Sequence, residues 1–258
     1  MLAKLNTARP MPPLPARKPI GQVTFELDLS DYRGTAPMYF GSYALLVVEA
    51  MRRFLRPGGV FLDVGANIGY LSAVAADLVG PRGEVHGFEP VPAYFDRLRR
   101  LAALNPNYSI IANSCAVGEI SGACTIYVTR EPGQSTLVPA YKARSEIVSS
   151  LEIPVVRLDS YLATRRIDRV ALIKIDAEGF ELPILKGLEG FLTKSGRRPP
   201  IICEIAPCAY PLLRRSISEL SAFMAKYGYT PRDLVDGVTP IDLVAIKHVE
   251  DVLFVAAK

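Results

Sequence analysis

Residues 60–69, Val60-Phe61-Leu62-Asp63-Val64-Gly65-Ala66-Asn67-Ile68-Gly69, constrain this chain more than any other stretch. A short apolar run ends in an acid, and a glycine-spaced turn then opens onto a helical pattern. Twenty residues past Gly69, Glu89 closes a second strand-like run, Glu84-Val85-His86-Gly87-Phe88-Glu89. Strand, glycine turn, helix, strand, acid is the order in which a parallel α/β sheet builds a site for an adenine nucleoside. The glycines let backbone approach the ligand, and the second carboxylate accepts hydrogen bonds from ribose hydroxyls.

The middle of the turn weighs one adenosine ligand against another. A dinucleotide pyrophosphate prefers Gly-x-Gly-x-x-Gly, with bare glycine beneath a helix N-terminus. Here the spacing is Gly65-x-Asn67-x-Gly69, with Asp63 just ahead of it. An anionic Asp63 repels a pyrophosphate and suits a ligand with a cationic amino-acid end and a sulfonium, S-adenosylmethionine (SAM). A glycine turn alone is weak evidence. Asp63 and Glu89 together favour SAM over NAD and over a purely structural turn.

Half of the 258 residues are hydrophobic, which suits one α/β domain with a full core. Lys plus Arg number 30 and Asp plus Glu 26, a net charge of +4 that is too small and scattered to argue for nucleic acid. The four cysteines, at 115, 124, 203 and 208, have no Cys-x-x-Cys spacing and no neighbouring His to complete a zinc site. Cys115, Cys124 and Cys203 fall in apolar strand patterns and read as small core residues, with a reducing cytoplasm as the expected location. No apolar run approaches ~18 residues, so no transmembrane helix is expected. Lys4 and Arg9 have no hydrophobic segment behind them, so a secretory signal is not expected either.

Five prolines in residues 1–19 mark a proline-rich N-terminal arm, extended by fixed φ and missing donors and compatible with contact to a second subunit in a homodimer. Residues 20–258 read as a single domain. Gln22–Leu29 alternates like a strand and is expected to form a hairpin or cap with the segment after it. Ser42–Leu55 is helical by period, ended by Pro57-Gly58-Gly59. Strands 60–64, 84–89, 108–112, 170–175 and 200–205 then alternate with helices 68–79, 92–104, 180–193 and 214–227. Between them, Ala123–Thr129 and Leu151–Arg157 look like β-hairpin arms flanking a polar loop. Two strand candidates remain, near Tyr229–Leu234 and Val252–Ala256. This alternation implies a Rossmann-like, doubly wound α/β fold with a mostly parallel sheet and a β-hairpin insertion.

Ligands of open parallel sheets bind beyond the carboxyl ends of the strands, so the acids there carry the chemistry. Asp63 and Glu89 end the first two strands, Asp176 and Glu178 follow Ala171-Leu172-Ile173-Lys174-Ile175, and Glu204 ends Ile201-Ile202-Cys203. For any of Asp176, Glu178 or Glu204 alone, a helix cap or anchoring ion pair explains the residue equally well. Together they suggest catalysis. Methyl transfer from SAM is an in-line displacement in which the protein aligns the acceptor and excludes water. A hydroxyl acceptor also needs its proton removed. One carboxylate of the three acting as base is preferred to a pair holding Mg²⁺ through oxygen ligands, so no metal residues are assigned. Lys174, a charge inside an apolar strand, is expected in an ion pair, His86 as a satisfied core histidine, and His248 in solvent.

These residues resemble the FkbM-type methyltransferase family. The resemblance runs from Asp63-Val64-Gly65-Ala66-Asn67-Ile68-Gly69 through Phe88-Glu89-Pro90 to Asn113-x-x-Ala116-Val117-Gly118. It continues in Val156-Arg157-Leu158-Asp159-Ser160-Tyr161, Ile173-Lys174-Ile175-Asp176-Ala177-Glu178-Gly179-Phe180-Glu181 and Leu185-Lys186-Gly187. It covers residues 45–205 plus the closing strand. It implies a SAM-dependent transferase with a seven-stranded sheet whose last strand is antiparallel, and O-methylation of a sugar, glycan or secondary metabolite. It further implies that Asp63, Gly65, Asn67 and Gly69 hold the methionine end, Glu89 the ribose, and Asn113 to Val117, Ala116 included, the adenine. Asp176 and Glu178 stand at the methyl-transfer end, and Gly133-Gln134-Ser135-Thr136-Leu137 resembles the family's loop near the acceptor. Residues 206–250 have no clear match.

An NAD-linked oxidoreductase and a non-catalytic SAM-binding protein are the competing readings. The first lacks an obvious Tyr/Lys or His proton relay. Methylation of RNA bases is disfavoured because Arg198-Pro199-Pro200-Ile201 precedes its strand, where an Asn/Asp-Pro-Pro-aromatic motif would follow one.

Overall fold

The computed structural model describes residues 15–29, 37–131, 133–138, 140–194 and 198–256. Its first elements are β1 (Pro15–Ile20), β2 (Val23–Asp28), α1 (Leu45–Phe54), β3 (Val60–Val64), α2 (Tyr70–Val79) and β4 (Glu84–Phe88). Next come α3 (Pro92–Leu104), β5 (Ser109–Asn113), β6 (Ala116–Val117), β7 (Gly122–Thr129), β8 (Ile147–Val156) and α4 (Leu158–Arg165). The chain closes with β9 (Leu172–Ile175), α5 (Glu181–Lys186), α6 (Glu189–Lys194), β10 (Ile201–Ile205), α7 (Ile217–Lys226), β11 (Tyr229–Arg232) and β12 (Glu250–Ala256).

Seven strands form the central sheet in the order β11-β12-β10-β9-β3-β4-β5. Strands β10, β9, β3, β4 and β5 pair in parallel, and β12 runs antiparallel to both of its neighbours. The strand order reverses beside β3, where a doubly wound sheet opens a crevice at its carboxyl edge. Successive side chains of β3 leave the sheet on opposite faces. Phe61 joins the core with Val47 of α1, Ala73 of α2 and Leu98 of α3. Leu62 and Val64 join the other, with Leu158 of α4, Leu182 of α5, Phe191 of α6 and Leu220 of α7. The insertion is a small sheet, β6-β8-β7, in which β7 and β8 are antiparallel.

Several boundaries depart from the sequence expectation for physical reasons. Residues 15–19, assigned to the arm by their prolines, form an edge strand, where a missing N–H leaves no ladder bond broken. Consequently β2 pairs with the segment before it, not the one after. The hairpin is pinned to the core where Thr24 N–H donates to Asn105 Oδ1 at 2.7 Å and Asn105 Nδ2 donates to Thr24 O at 2.8 Å. Residues 1–14 of the expected arm lie outside the described residues.

The single helix expected over 180–193 is two, α5 and α6. Gly187 between them approaches β6 so closely that a Cβ would lie 2.1 Å from Gly118 O, and its carbonyl accepts from Asp159 N–H. Helix α7 is capped by Ser216, whose side chain accepts from Glu219 N–H. No helix among the described residues is long and apolar enough to cross a membrane.

Candidate active site

The carboxyl ends of β3, β4, β9 and β10 converge on a cavity of about 450 Å³. Asp63, Gly65, Asn67, Glu89, Ala116, Asp176, Glu178 and Glu204 all line it. Gly69 and Asn113 do not. Gly69 has φ 88° at the head of α2, and a Cβ there would meet Leu98 and Leu101 at 2.9 Å, so its job is close packing of α2 on α3. Asn113 fastens β5 to β4: its Nδ2 donates to Gly87 O at 3.0 Å and its carbonyl accepts from Glu89 N–H.

At one end the glycine turn builds a carboxylate seat. Asn67, in the left-handed region at φ 51°, turns its N–H onto Glu89 Oε2 at 2.8 Å, and Val91 N–H donates to Oε1 at 2.8 Å. Each oxygen keeps a further lone pair. Burial pushes the Glu89 carboxyl up to about 7 against the pull of those two bonds. Asp63 is buried and accepts from Ser72 Oγ at 2.6 Å. Burial raises it to about 6, the Ser72 bond and Lys174 opposing.

At the other end stand Asp176, Glu178 and Glu204, whose carboxylates come within 4.8 Å of one another. Two ammonium groups meet them. Lys174 Nζ lies 3.4 Å from Asp176 Oδ2 and 3.0 Å from Asp251 Oδ1, so the expected ion pair is there and the lysine also lines the cavity. Burial alone would lower Lys174, but the charges of Asp176, Asp251 and Glu204 outweigh it and hold the ammonium well above its ordinary range. Lys142 Nζ lies 2.9 Å from Glu178 Oε2. Glu204 is raised well out of the carboxylate range, first by burial and then by Asp176. Its Oε2 and Ser135 Oγ are buried with no hydrogen-bond partner among the described residues, and both residues line the cavity.

The connection from β7 to β8 roofs this cavity. Thr136 Oγ1 donates to Glu178 O at 2.8 Å, and Gly133 N–H reaches Tyr94 Oη at 3.4 Å. Glu178 is held at φ 51°, a conformation that strains a non-glycine residue and persists where surrounding contacts enforce it. Lys142, Tyr94, Tyr43 and Asp251 were not singled out from the sequence. Only the loop resemblance around Gly133 to Leu137 hinted at a roof.

His86 is buried between Tyr161 Oη at 2.8 Å and Glu84 Oε2 at 3.0 Å, a satisfied core histidine lowered by burial. His248 is exposed. Cys115 and Cys203 are buried, Cys124 is half-buried on the insertion sheet, and all four thiols are free.

Known proteins resemble this chain over about half its length. It is 33% identical to 31-O-demethyl-FK506 methyltransferase FkbM of Streptomyces tacrolimicus, over 52% of this chain and 61% of that protein. It is 30% identical to Methyltransferase sdnD of Sordaria araneosa, over 52% and 62%. Hexuronic acid methyltransferase AglP of Haloferax volcanii is 28% identical, over 52% and 51%. The matched region therefore spans less than two thirds of each relative's own length. The methyltransferase FkbM domain model matches residues 63–231, the span that carries the glycine turn, the Glu89 seat and the Asp176 cluster, and the chain belongs to that family.

Proposed function

We propose that the chain is a SAM-dependent O-methyltransferase acting on a hydroxyl of a sugar or secondary metabolite. The observation that carries this reading is that Asp63 of β3 and Glu89, just past the end of adjacent β4, face one cavity whose far end holds Asp176, Glu178 and Glu204. The residues suit the cofactor. Glu89, fixed by two backbone N–H groups, has lone pairs left for a ribose diol, and buried Asp63 suits a cationic end. A cavity of about 450 Å³ lies within the usual range for small-molecule sites.

When bound, SAM supplies a methyl carbon already activated by its sulfonium. In this reading Asp63, Gly65 and Asn67 hold the amino-acid end, Glu89 the ribose, and Ala116 with its neighbours the adenine. Asp176, paired with Lys174 and 36% exposed, takes the proton of the acceptor hydroxyl. Glu204, kept protonated, donates a hydrogen bond into the same end, and Glu178 anchors the roof through Lys142. Lys174 and Lys142 already bring positive charge to the cluster, so the reading calls on no Mg²⁺. Relatives named for 31-O-demethyl-FK506 and for a hexuronic acid support a hydroxylated small-molecule or sugar acceptor. Four free thiols suit a reducing compartment such as the cytoplasm.

Titration calorimetry with S-adenosylhomocysteine and NADH, each with and without Mg²⁺, tests the cofactor. Binding of NADH in place of S-adenosylhomocysteine would overturn the proposal. Transfer of labelled methyl from SAM to a panel of hexuronic acid glycosides and hydroxylated macrolactones then tests the acceptor class.

A further inference from the structure

On the sheet face covered by α1, α2 and α3, a row of ionisable side chains crosses neighbouring strands near the carboxyl edge. Asp63 of β3 stands in register with Lys174 of β9, and Glu204 of β10 with Asp251 of β12. Strand β10 lies between β9 and β12, so Lys174 reaches over it to put Nζ on Asp251 at 3.0 Å. The same ammonium lies 3.4 Å from Asp176, the longer of the two contacts. Asp251 lies beyond the residues matched by the family model and does not line the cavity.

Acids opposite one another on paired strands repel when both are charged, and an ammonium buried alone is costly. Lys174, in contact with Asp251 and Asp176 and within the field of Glu204, eases both problems. It has one charge to share, however, and what Asp251 draws off is withheld from Asp176 and Glu204. A carboxylate fully neutralised by a lysine is a poor base.

We propose that Asp251 is a positioning residue for methyl transfer: it draws the Lys174 ammonium toward β12, and so leaves the Asp176 carboxylate unclamped to take the acceptor's proton. The inference rests on Asp176 being the base. In the step it serves, the acceptor oxygen bonds to the methyl carbon, the carbon–sulfur bond breaks with its electron pair going to sulfur, and the hydroxyl proton passes to Asp176. Of the groups outside this row that act on it, Glu178 follows β9 and Glu181 lies on α5. Tyr43 ahead of α1 and Lys142, paired with Glu178, face it as well.

Glu204 feels the charges of both Lys174 and Asp176 and serves as the reporter. Its carboxyl carbon, labelled with ¹³C and assigned through Glu204→Gln, is titrated by NMR in the S-adenosylhomocysteine complex. Asp251→Asn is expected to lower its midpoint by about 1 pH unit or more, because the ammonium relaxes onto the site and one negative charge is gone. Asp251→Glu, which keeps the charge, is expected to restore the midpoint. If Asp251→Asn does not fold, Asp251→Ser carries the same expectation. An unchanged midpoint, or an equal fall in Asp251→Glu, overturns the positioning role. Calorimetry on the wild-type sample separates the two levels: no S-adenosylhomocysteine binding sinks the methyltransferase reading, whereas binding with an unmoved midpoint sinks only this inference.

Discussion

A Cβ placed on Gly65 would lie 1.7 Å from the carbonyl oxygen of Asp176. The first glycine of the turn therefore makes room for the neighbouring strand's exit. Asp176 N–H donates to Val64 O at 3.0 Å, so the two strand ends are locked together at the point where both acids enter the cavity.

Gly65→Ala is expected to lose roughly 2–4 kcal/mol of stability, from overpacking against that carbonyl and from a φ of 81° that L-residues resist. The shift should also misplace Asp176. Urea unfolding measures the first effect and calorimetry with S-adenosylhomocysteine the second. Wild-type stability in the alanine variant would show that the turn opens without strain.

If Glu89 holds the ribose as proposed, it couples cofactor affinity to pH. Burial raises its carboxyl to about 7 in the free protein, and ribose hydroxyls would bind the ionised form. Affinity for S-adenosylhomocysteine should fall about tenfold for each pH unit below that midpoint, with protons released on binding there. Calorimetry in buffers of different ionisation enthalpy reads the release directly. Glu89→Gln sets an amide NH₂ against one of two backbone donors, Asn67 or Val91, and is expected to weaken binding by about 1.5–3 kcal/mol. Affinity that stays flat from pH 5 to 8 would remove Glu89 from the ribose.

Lys142 and Glu178 hold the roof of the cavity, with side chains only 15% and 17% exposed. Lys142→Met should cost about 1–2 kcal/mol by leaving Glu178 without its ion-pair partner, and Lys142→Met with Glu178→Gln should recover part of it. Hydrogen exchange at the Thr136 and Val138 amides is expected to quicken in the single variant, since Thr136 is tied to the Glu178 carbonyl. Equal exchange in both variants and wild type would detach the roof from this pair.

What was legible in the sequence depended on how local its cause was. Strand β3, the glycine turn, α2 and β4 announce themselves because apolar runs, glycines and breakers sit within one continuous stretch. Glu89 is legible for the same reason. Helix α4 is not: Leu158 to Arg165 has a weak apolar stripe and follows β8 with no breaker between them. The strand at Pro15–Ile20 is hidden by its prolines, which are harmless only because β1 is an edge. Asp251 could not be recognised at all, since its meaning comes from register across β10 to a lysine 77 residues away. Gly69 and Asn113 sit inside the motif, yet their places in the structure are explained by helix packing and strand fastening.

Glu181 predicts the sign of the protein's pH dependence. Its side chain is fully buried on α5, with Oε1 accepting from Gly179 N–H at 2.8 Å and Oε2 unpartnered among the described residues. Burial raises its carboxyl to about 7, outweighing the backbone bonds. The native state therefore holds a proton that the unfolded chain releases near pH 4.5. Stability from the neutral form is complete below that value and lost as pH rises through 7. Linkage makes the loss about 3 kcal/mol. Asp63, raised to about 6, and Glu89, raised to about 7, act in the same direction in the free protein. Urea unfolding should thus show falling stability from pH 5 to pH 8. Glu181→Gln keeps the acceptor for Gly179 and cannot ionise, so it should flatten that fall by about 3 kcal/mol. An identical fall in the variant would mean that Glu181 is ionised in the native protein and that its burial is compensated by a partner.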